Sequence, residues 1–236
     1  MSVRSLIEAH YQRSTDELVS CEDFQRLEAG SAAQDAYDAF LMNVVRSHLK
    51  SPKILAFLYS AAPAGQATAN LLHNMLEELG LEEEDGLSHP DLLKAVARGA
   101  GFGDRLPELE RLADEDLRRV ILEPLMYGSL RDVAFAVMVE TIAYEWMLSR
   151  VSSRIARFLA SQRGLTPETL AWFTHHSEVD LQHAEEGLDS LDAYVDYYAL
   201  GREEVETIVD LTMRENVFIK RYFGELTIAR QAQMAD

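Results

Sequence analysis

The chain has 236 residues and a formal charge of −18, with 40 acidic against 22 basic side chains. Such a chain repels phosphate backbones, so no nucleic-acid partner is expected; most of the excess reads as solvated helix faces, with a share left for carboxylates held as metal ligands. Hydrophobic residues make up 47% and there are only 12 Gly and 6 Pro, which favours an all-α fold over a β-rich one.

Helical periodicity runs almost throughout. A first helix is expected from Val3 to Leu18 and a short one from Glu22 to Leu27, ending near Gly30. Ala32 to Leu49 reads as a long amphipathic helix, and Pro52 marks a kink or restart before Ile54 to Tyr59. After Pro63-Ala64-Gly65, a helix runs from Gln66 to Leu79 with Gly80 as its C-terminal cap. The acidic loop Glu82 to Gly86 follows, and Ser88-His89-Pro90-Asp91 opens the next helix, Ser88 as cap and Pro90 in the first turn. Asp104 to Pro107 is a break. A long apolar helix covers Leu130 to Ala160, a loop follows at Arg163 to Glu168, and the next helix extends to Leu200. A last helix is expected from Arg202 to the C-terminus. With no repeat or linker in view, the expectation is one domain, 1–236, of seven or eight helices.

The helix that ends near Leu200 carries the most informative stretch. It places His176, Asp180 and His183 at i, i+4 and i+7, within roughly 60° of one another on a helix. Two imidazoles and a carboxylate on one stripe suit a transition metal, whereas a core stripe is normally apolar. The competing reading is a solvated face. His175, the tempting neighbour, falls off the stripe.

One helix cannot complete such a site, and three further residues are candidates. Glu78 shares a stripe with Leu71, Asn74 and Met75, while Glu77 lies about 100° away. By itself a Glu at a helix end is more often capped than a ligand. His89 sits at a helix start, where an isolated His is usually structural. Glu145 lies in the most apolar helix, where an ionised carboxylate is costly to bury without a cation or proton. The bland alternative for Glu145 is an ion pair with Arg150 or Arg154.

The set Glu78, His89, Glu145, His176, Asp180 and His183 supplies oxygen and nitrogen ligands without thiolate, which suits iron or manganese in a helical bundle. Two divalent ions would set four positive charges against three carboxylates, making the burial electrostatically reasonable.

At this point the chain resembles the haem-oxygenase-like di-iron oxidases and oxygenases, and among them the CADD-type proteins. The residues carrying the resemblance are Asn74 to Gly80 with Glu78, Ser88-His89-Pro90, Ala143-Tyr144-Glu145, and Phe173 to Glu186 with its H-x3-D-x2-H spacing. The resemblance implies a seven-helix fold like that of haem oxygenase, but with two non-haem irons, manganese being an alternative at one position, and with neither haem nor flavin. It implies dioxygen activation and a small organic substrate of the amine, amino-acid or fatty-acid class. It also gives Tyr144 a redox or hydrogen-bonding role, against an ordinary packing tyrosine. CADD-type members use a lysine downstream of the central Glu to make p-aminobenzoate; here the neighbourhood reads Arg150-Val151-Ser152-Ser153-Arg154-Ile155, so that activity is not carried over.

Other readings stay open. A metal-free relative of the TenA or PqqC type is one; a salvage hydrolase would need a nucleophilic cysteine, and Cys21, the only one, has no recognisable catalytic setting. A non-catalytic interaction or metal-binding protein is another. A haem protein using His10 is the weakest. A single cysteine, no apolar signal-peptide core after Met1, and no membrane-length apolar run (Val133 to Val139 is the closest) lead to the expectation of a cytoplasmic protein without a membrane partner. A homodimer is compatible with the fold, though no residue argues for it.

Overall fold

The computed structural model describes residues 2–82 and 86–224, apart from the side chains of Glu178 and Val179. Among the described residues there is no β-strand, and no helix is long and apolar enough to cross a membrane. The elements are α1 (Val3–Ser20), α2 (Glu22–Glu28), α3 (Gln34–His48), α4 (Ser51–Ala61), α5 (Gln66–Glu78), α6 (His89–Gly99), α7 (Leu106–Leu117), α8 (Glu123–Leu125), α9 (Leu130–Arg163), α10 (Ala171–Tyr197) and α11 (Arg202–Met213). This is the expected all-α bundle; the count among the described residues exceeds seven or eight because pieces such as α8, only three residues long, stand as separate helices.

Local chemistry sets most boundaries. Pro52 restarts the chain: it lies in the first turn of α4, where its missing N–H costs nothing. Ser88 caps α6 by accepting from the Asp91 amide at 3.2 Å. Gly164 ends α9 in the left-handed region, with φ of 63°. Between α7 and α8 the helix passes through a π-helical turn, Arg118–Leu122. The last helix does not run on from Arg202 as expected. It stops at Met213, and Asn216, at φ 42°, turns the chain into a second helical segment, 217–224. The Asn216 side chain stabilises that turn, accepting from the Ile219 amide at 3.2 Å and donating to the Ser14 carbonyl at 2.9 Å. The rest of the expected helix, and Glu83 to Asp85 of the acidic loop, lie outside the described residues.

The two longest helices, α9 and α10, share the most extensive packing in the bundle, and α5 lies against α10 on another side. The core includes Phe135, Met138 and Met147 of α9 together with Phe173, Leu188 and Tyr194 of α10. Close approach of α9 and α10 depends on Gly187, where a Cβ would sit 2.7 Å from Ile142 Cγ1. That contact lies one turn from both Glu145 and His183, so it sets the spacing of the two helices where the polar residues meet. Gly187→Ala is therefore expected to destabilise the fold by about 1–3 kcal/mol through overpacking. A chemical-denaturation midpoint unchanged in the variant would contradict this.

Candidate metal centre

Four helices deliver the polar side chains to one buried region. The C-terminal end of α5 carries Asn74, Glu77 and Glu78, and the first turn of α6 carries His89. The middle of α9 carries Glu145, and α10 carries His176, Asp180 and His183. Glu78 and His89 converge because Gly80, just after α5, lies close against Leu87, just before α6. Gly80, at φ 70°, donates to the Glu77 carbonyl at 2.8 Å, and a Cβ there would lie 2.6 Å from the Leu87 carbonyl carbon.

Glu78, His89 and His176 form a compact ligand group whose donor atoms all lie within 4.8 Å of one another. Glu78 Oε1 is 2.9 Å from His89 Nδ1, and Glu78 Oε2 accepts a short hydrogen bond from Ser51. Burial opposes the charge on Glu78, but the His89 ring and the Ser51 hydroxyl hold its carboxyl below the usual range. His176 donates Nδ1–H to the Trp172 carbonyl at 2.7 Å, leaving Nε2 as its free electron pair. Burial pushes the His176 pKa well below its ordinary value, so the ring is a neutral imidazole, the form that binds metals.

Asp180, His183 and Glu145 lie beside this group. Asp180 Oδ1 is 3.6 Å from His183 Nδ1, and His183 Nε2 makes a short contact with Glu77. Glu145 accepts from the Asn74 amide at 2.6 Å. Neither arginine proposed as its partner is used: Arg154 binds Glu28 at 2.7 Å, and Arg150 stacks over the Trp146 ring at 3.5 Å. Among the described residues no lysine or arginine pairs with Glu145. Its buried carboxyl is accordingly raised in pKa by desolvation.

The donor set also has gaps of the kind a metal fills. His89 is 1% exposed, yet neither ring nitrogen has an aligned hydrogen-bond partner; its approach to Glu78 is an ion-pair contact without hydrogen-bond alignment. Asp180 is equally buried, and its Oδ2 has no partner. Each unsatisfied buried group costs about 1–3 kcal/mol, so orphans beside the four further ligand-type side chains point to a cation that completes them. Oxygen and imidazole donors without sulfur fit iron or manganese.

Tyr144 stands next to Glu145 and against the His48 ring at a centroid distance of 5.0 Å, and its hydroxyl donates to the Val217 carbonyl at 3.3 Å. Burial raises its pKa well above 10. His10 lies elsewhere, 3.2 Å from Asp210, and His175 packs edge-on against His89 at 4.7 Å.

Two features escaped the sequence pattern. Glu77, set aside as off-stripe, reaches across to His183. In addition, the pocket lined by Glu78, Glu145, His176 and Asp180 is lined as well by a cluster of four charges, Arg46, Asp116, Glu140 and Arg221. Arg46 grips Asp116 through two hydrogen bonds of 2.6 and 2.9 Å, and Arg221 reaches Glu140 at 3.2 Å and Asp116 at 3.9 Å. The i, i+4 spacing of His73 and Glu77 was the one available hint of the first; nothing local in the sequence marks the second.

A helical bundle that buries this donor set against an internal pocket defines a class, the helical metal-dependent oxidoreductases. The family described as iron-containing redox enzyme matches residues 38–211, and the chain belongs to it. The chain is also similar to two curated proteins named 4-aminobenzoate synthase. The one from Chlamydia trachomatis serovar D is 29% identical over 142 residues, covering 59% of this chain and 58% of the relative. The one from Chlamydia muridarum is 29% identical over 142 residues, covering 59% of this chain and 57% of the relative. The match thus spans less than two thirds of those relatives' length. Family and relatives are those to which the sequence resemblance points.

The site is charged with protons when no cation is present. Burial pushes the Asp180 carboxyl up to about 8. For His183, burial favours the neutral ring, but the hydrogen bonds to Asp180 and Glu77 and the nearby Glu145 outweigh it and raise the pKa to about 11. Both folded values lie above the ordinary 3.8 and 6.5, so these two groups hold more protons in the folded chain than in the unfolded one as pH rises from 6.5 toward about 8. Two opposed trends are expected across that window. The melting temperature of the metal-free protein falls with pH, while Mn(II) affinity rises as protons stop competing for the ligands. Differential scanning fluorimetry with and without Mn(II) checks both; parallel trends would contradict the assignment of these groups to a metal site.

Proposed function

We propose that the protein holds two iron ions with Glu78, His89, Glu145, His176, Asp180 and His183, and uses dioxygen to oxidise a small organic molecule in the adjoining pocket. The observation that carries this reading is the compact group of Glu78, His89 and His176 beside Glu145, Asp180 and His183, with buried, unsatisfied atoms on His89 and Asp180. Manganese suits the same donors at one position. When bound, the metal would supply the electrons and the Lewis acidity for dioxygen activation.

The chain's own residues do the rest. Ser51 and Asn74 orient the carboxylates of Glu78 and Glu145, and Trp172 fixes the ring of His176. Leu55, Val137 and Leu148 line the pocket and exclude water from it. Tyr144 is on the same wall, and with its hydroxyl committed to Val217, the role we assign it is redox rather than hydrogen bonding to a ligand.

The pocket combines apolar walls with a few convergent polar and charged groups, the make-up of a small-molecule site. At the end away from the ligands its charges are already matched, Arg46 and Arg221 against Asp116 and Glu140. A fatty acid entering there would take an arginine and strand a carboxylate, and a simple amine would strand an arginine. A zwitterion replaces each broken pair with a new one and leaves none unpaired. Within the amine, amino-acid and fatty-acid classes we therefore favour an amino acid. The relatives are named for 4-aminobenzoate synthesis; we do not assign that product to this chain, because the segment Arg150 to Ile155 lacks the lysine expected for it.

Protein reconstituted with Fe(II) without oxygen, then exposed to oxygen with a panel of amino acids, amines and fatty acids, tests the proposal. About two irons per chain, and oxygen uptake accelerated by an amino acid, are expected. No iron after reconstitution would sink the metal reading, and acceleration by fatty acids alone would sink the substrate reading. His183→Ala and Glu145→Ala are each expected to lower bound iron; full retention of two irons would show that ligand to be misassigned. Arg221→Gln is expected to leave iron content unchanged and to weaken amino-acid binding by about 10-fold or more, the loss of one charged hydrogen bond. Unchanged affinity by titration calorimetry would remove Arg221 from recognition.

A further inference from the structure

Adjacent carboxylates at the end of α5 diverge. Glu78 turns toward His89 and His176, whereas Glu77 crosses to α10 and meets His183. Glu77 is also steadied by its own helix: His73 Nε2 is 3.7 Å from the same Oε2 that meets His183, and His73 Nδ1 is 2.5 Å from Glu82 Oε2. Its position therefore does not depend on His183 alone.

The consequence lies in which ring nitrogen of His183 is left for a metal. Nε2 is engaged by Glu77, which stands outside the compact group of Glu78, His89 and His176. Nδ1 points the opposite way, 3.6 Å from Asp180 Oδ1, and the second oxygen of that carboxylate is buried without a partner. An imidazole that binds a metal through one nitrogen commonly donates its other N–H to a carboxylate, which fixes ring orientation and raises basicity. The arrangement around His183 has that form.

We propose that Glu77 is a positioning residue: it accepts the Nε2–H of His183 and presents Nδ1, beside Asp180, as the metal-binding nitrogen. The inference rests on the two-metal reading above but assigns Glu77 a place outside the ligand set. The alternative, in which Glu77 is itself a ligand and His183 binds through Nε2, requires the Glu77–His183 contact to break.

Co(II) serves as the probe, added to the metal-free full chain and followed by calorimetry and by proton NMR in H2O and D2O. In the wild-type protein two ions are expected. A hyperfine-shifted, solvent-exchangeable signal from the His183 Nε2 proton is also expected, absent in His183→Gln. Glu77→Leu is expected to weaken one of the two ions by about 10- to 100-fold, leave the other unchanged, and abolish the exchangeable signal through rapid exchange. Glu77→Gln, which keeps an acceptor oxygen, is expected to restore most of the affinity and the signal; it also serves if the leucine variant folds poorly. Two ions with unchanged affinities and an unchanged signal in Glu77→Leu would overturn the inference and leave the two-metal reading standing. Loss of one ion in Glu77→Gln as complete as in Glu77→Leu would make Glu77 a ligand and overturn its positioning role. Fewer than two ions in the wild-type protein would instead overturn the reading on which the inference rests.

Discussion

Three carboxylates and three imidazoles are packed between α5, α6, α9 and α10 without a lysine or arginine among their described partners, and the rest of the structure accommodates that placement. A carboxylate in an apolar interior must be protonated or matched by positive charge. The metal-free site takes the first course, with protons retained on Asp180 and His183. Divalent ions offer the second. Helix spacing follows from this need: Gly187 lets α10 approach Ile142 of α9, and Gly80 lets the chain double back so that Glu78 meets His89. A larger residue at either glycine would push these side chains apart.

The pocket applies the same electrostatic logic at its other end with the opposite solution. There the carboxylates of Asp116 and Glu140 are matched by the guanidinium groups of Arg46 and Arg221, so no cation is needed. One cavity is therefore lined by carboxylate and imidazole groups, by balanced ion pairs and by apolar side chains. On the reading proposed above, such a division would hold a substrate by a part that does not react and place the reacting part near the metal.

Much of the site was legible because helical geometry converts spacing into direction. His176, Asp180 and His183 share a stripe by arithmetic alone, and Glu145 stood out by the cost of burying it on the most apolar helix. Glu78 was distinguished from Glu77 by its stripe, and the structure does bring Glu78 together with His89 and His176. The reach of Glu77 to His183 was missed because periodicity judges a side chain by its own helix, whereas its partner is 106 positions away on another. The charged end of the pocket was missed for a related reason. Arg46, Asp116, Glu140 and Arg221 come from four separate segments, and Arg221 follows a turn at Asn216 where an unbroken helix was expected. Helix positions were readable from caps and prolines, while the π-helical turn at Arg118–Leu122 has no comparable local signature.

The central claim is that two metal ions sit side by side in this cluster. Anomalous diffraction at the iron edge, from crystals loaded with Fe(II) in the absence of oxygen, tests it most directly. Two peaks are predicted, one among Glu78, His89 and His176 and the other beside Asp180 and His183, with Glu145 adjoining both. A single peak, or iron bound away from these residues, would contradict it.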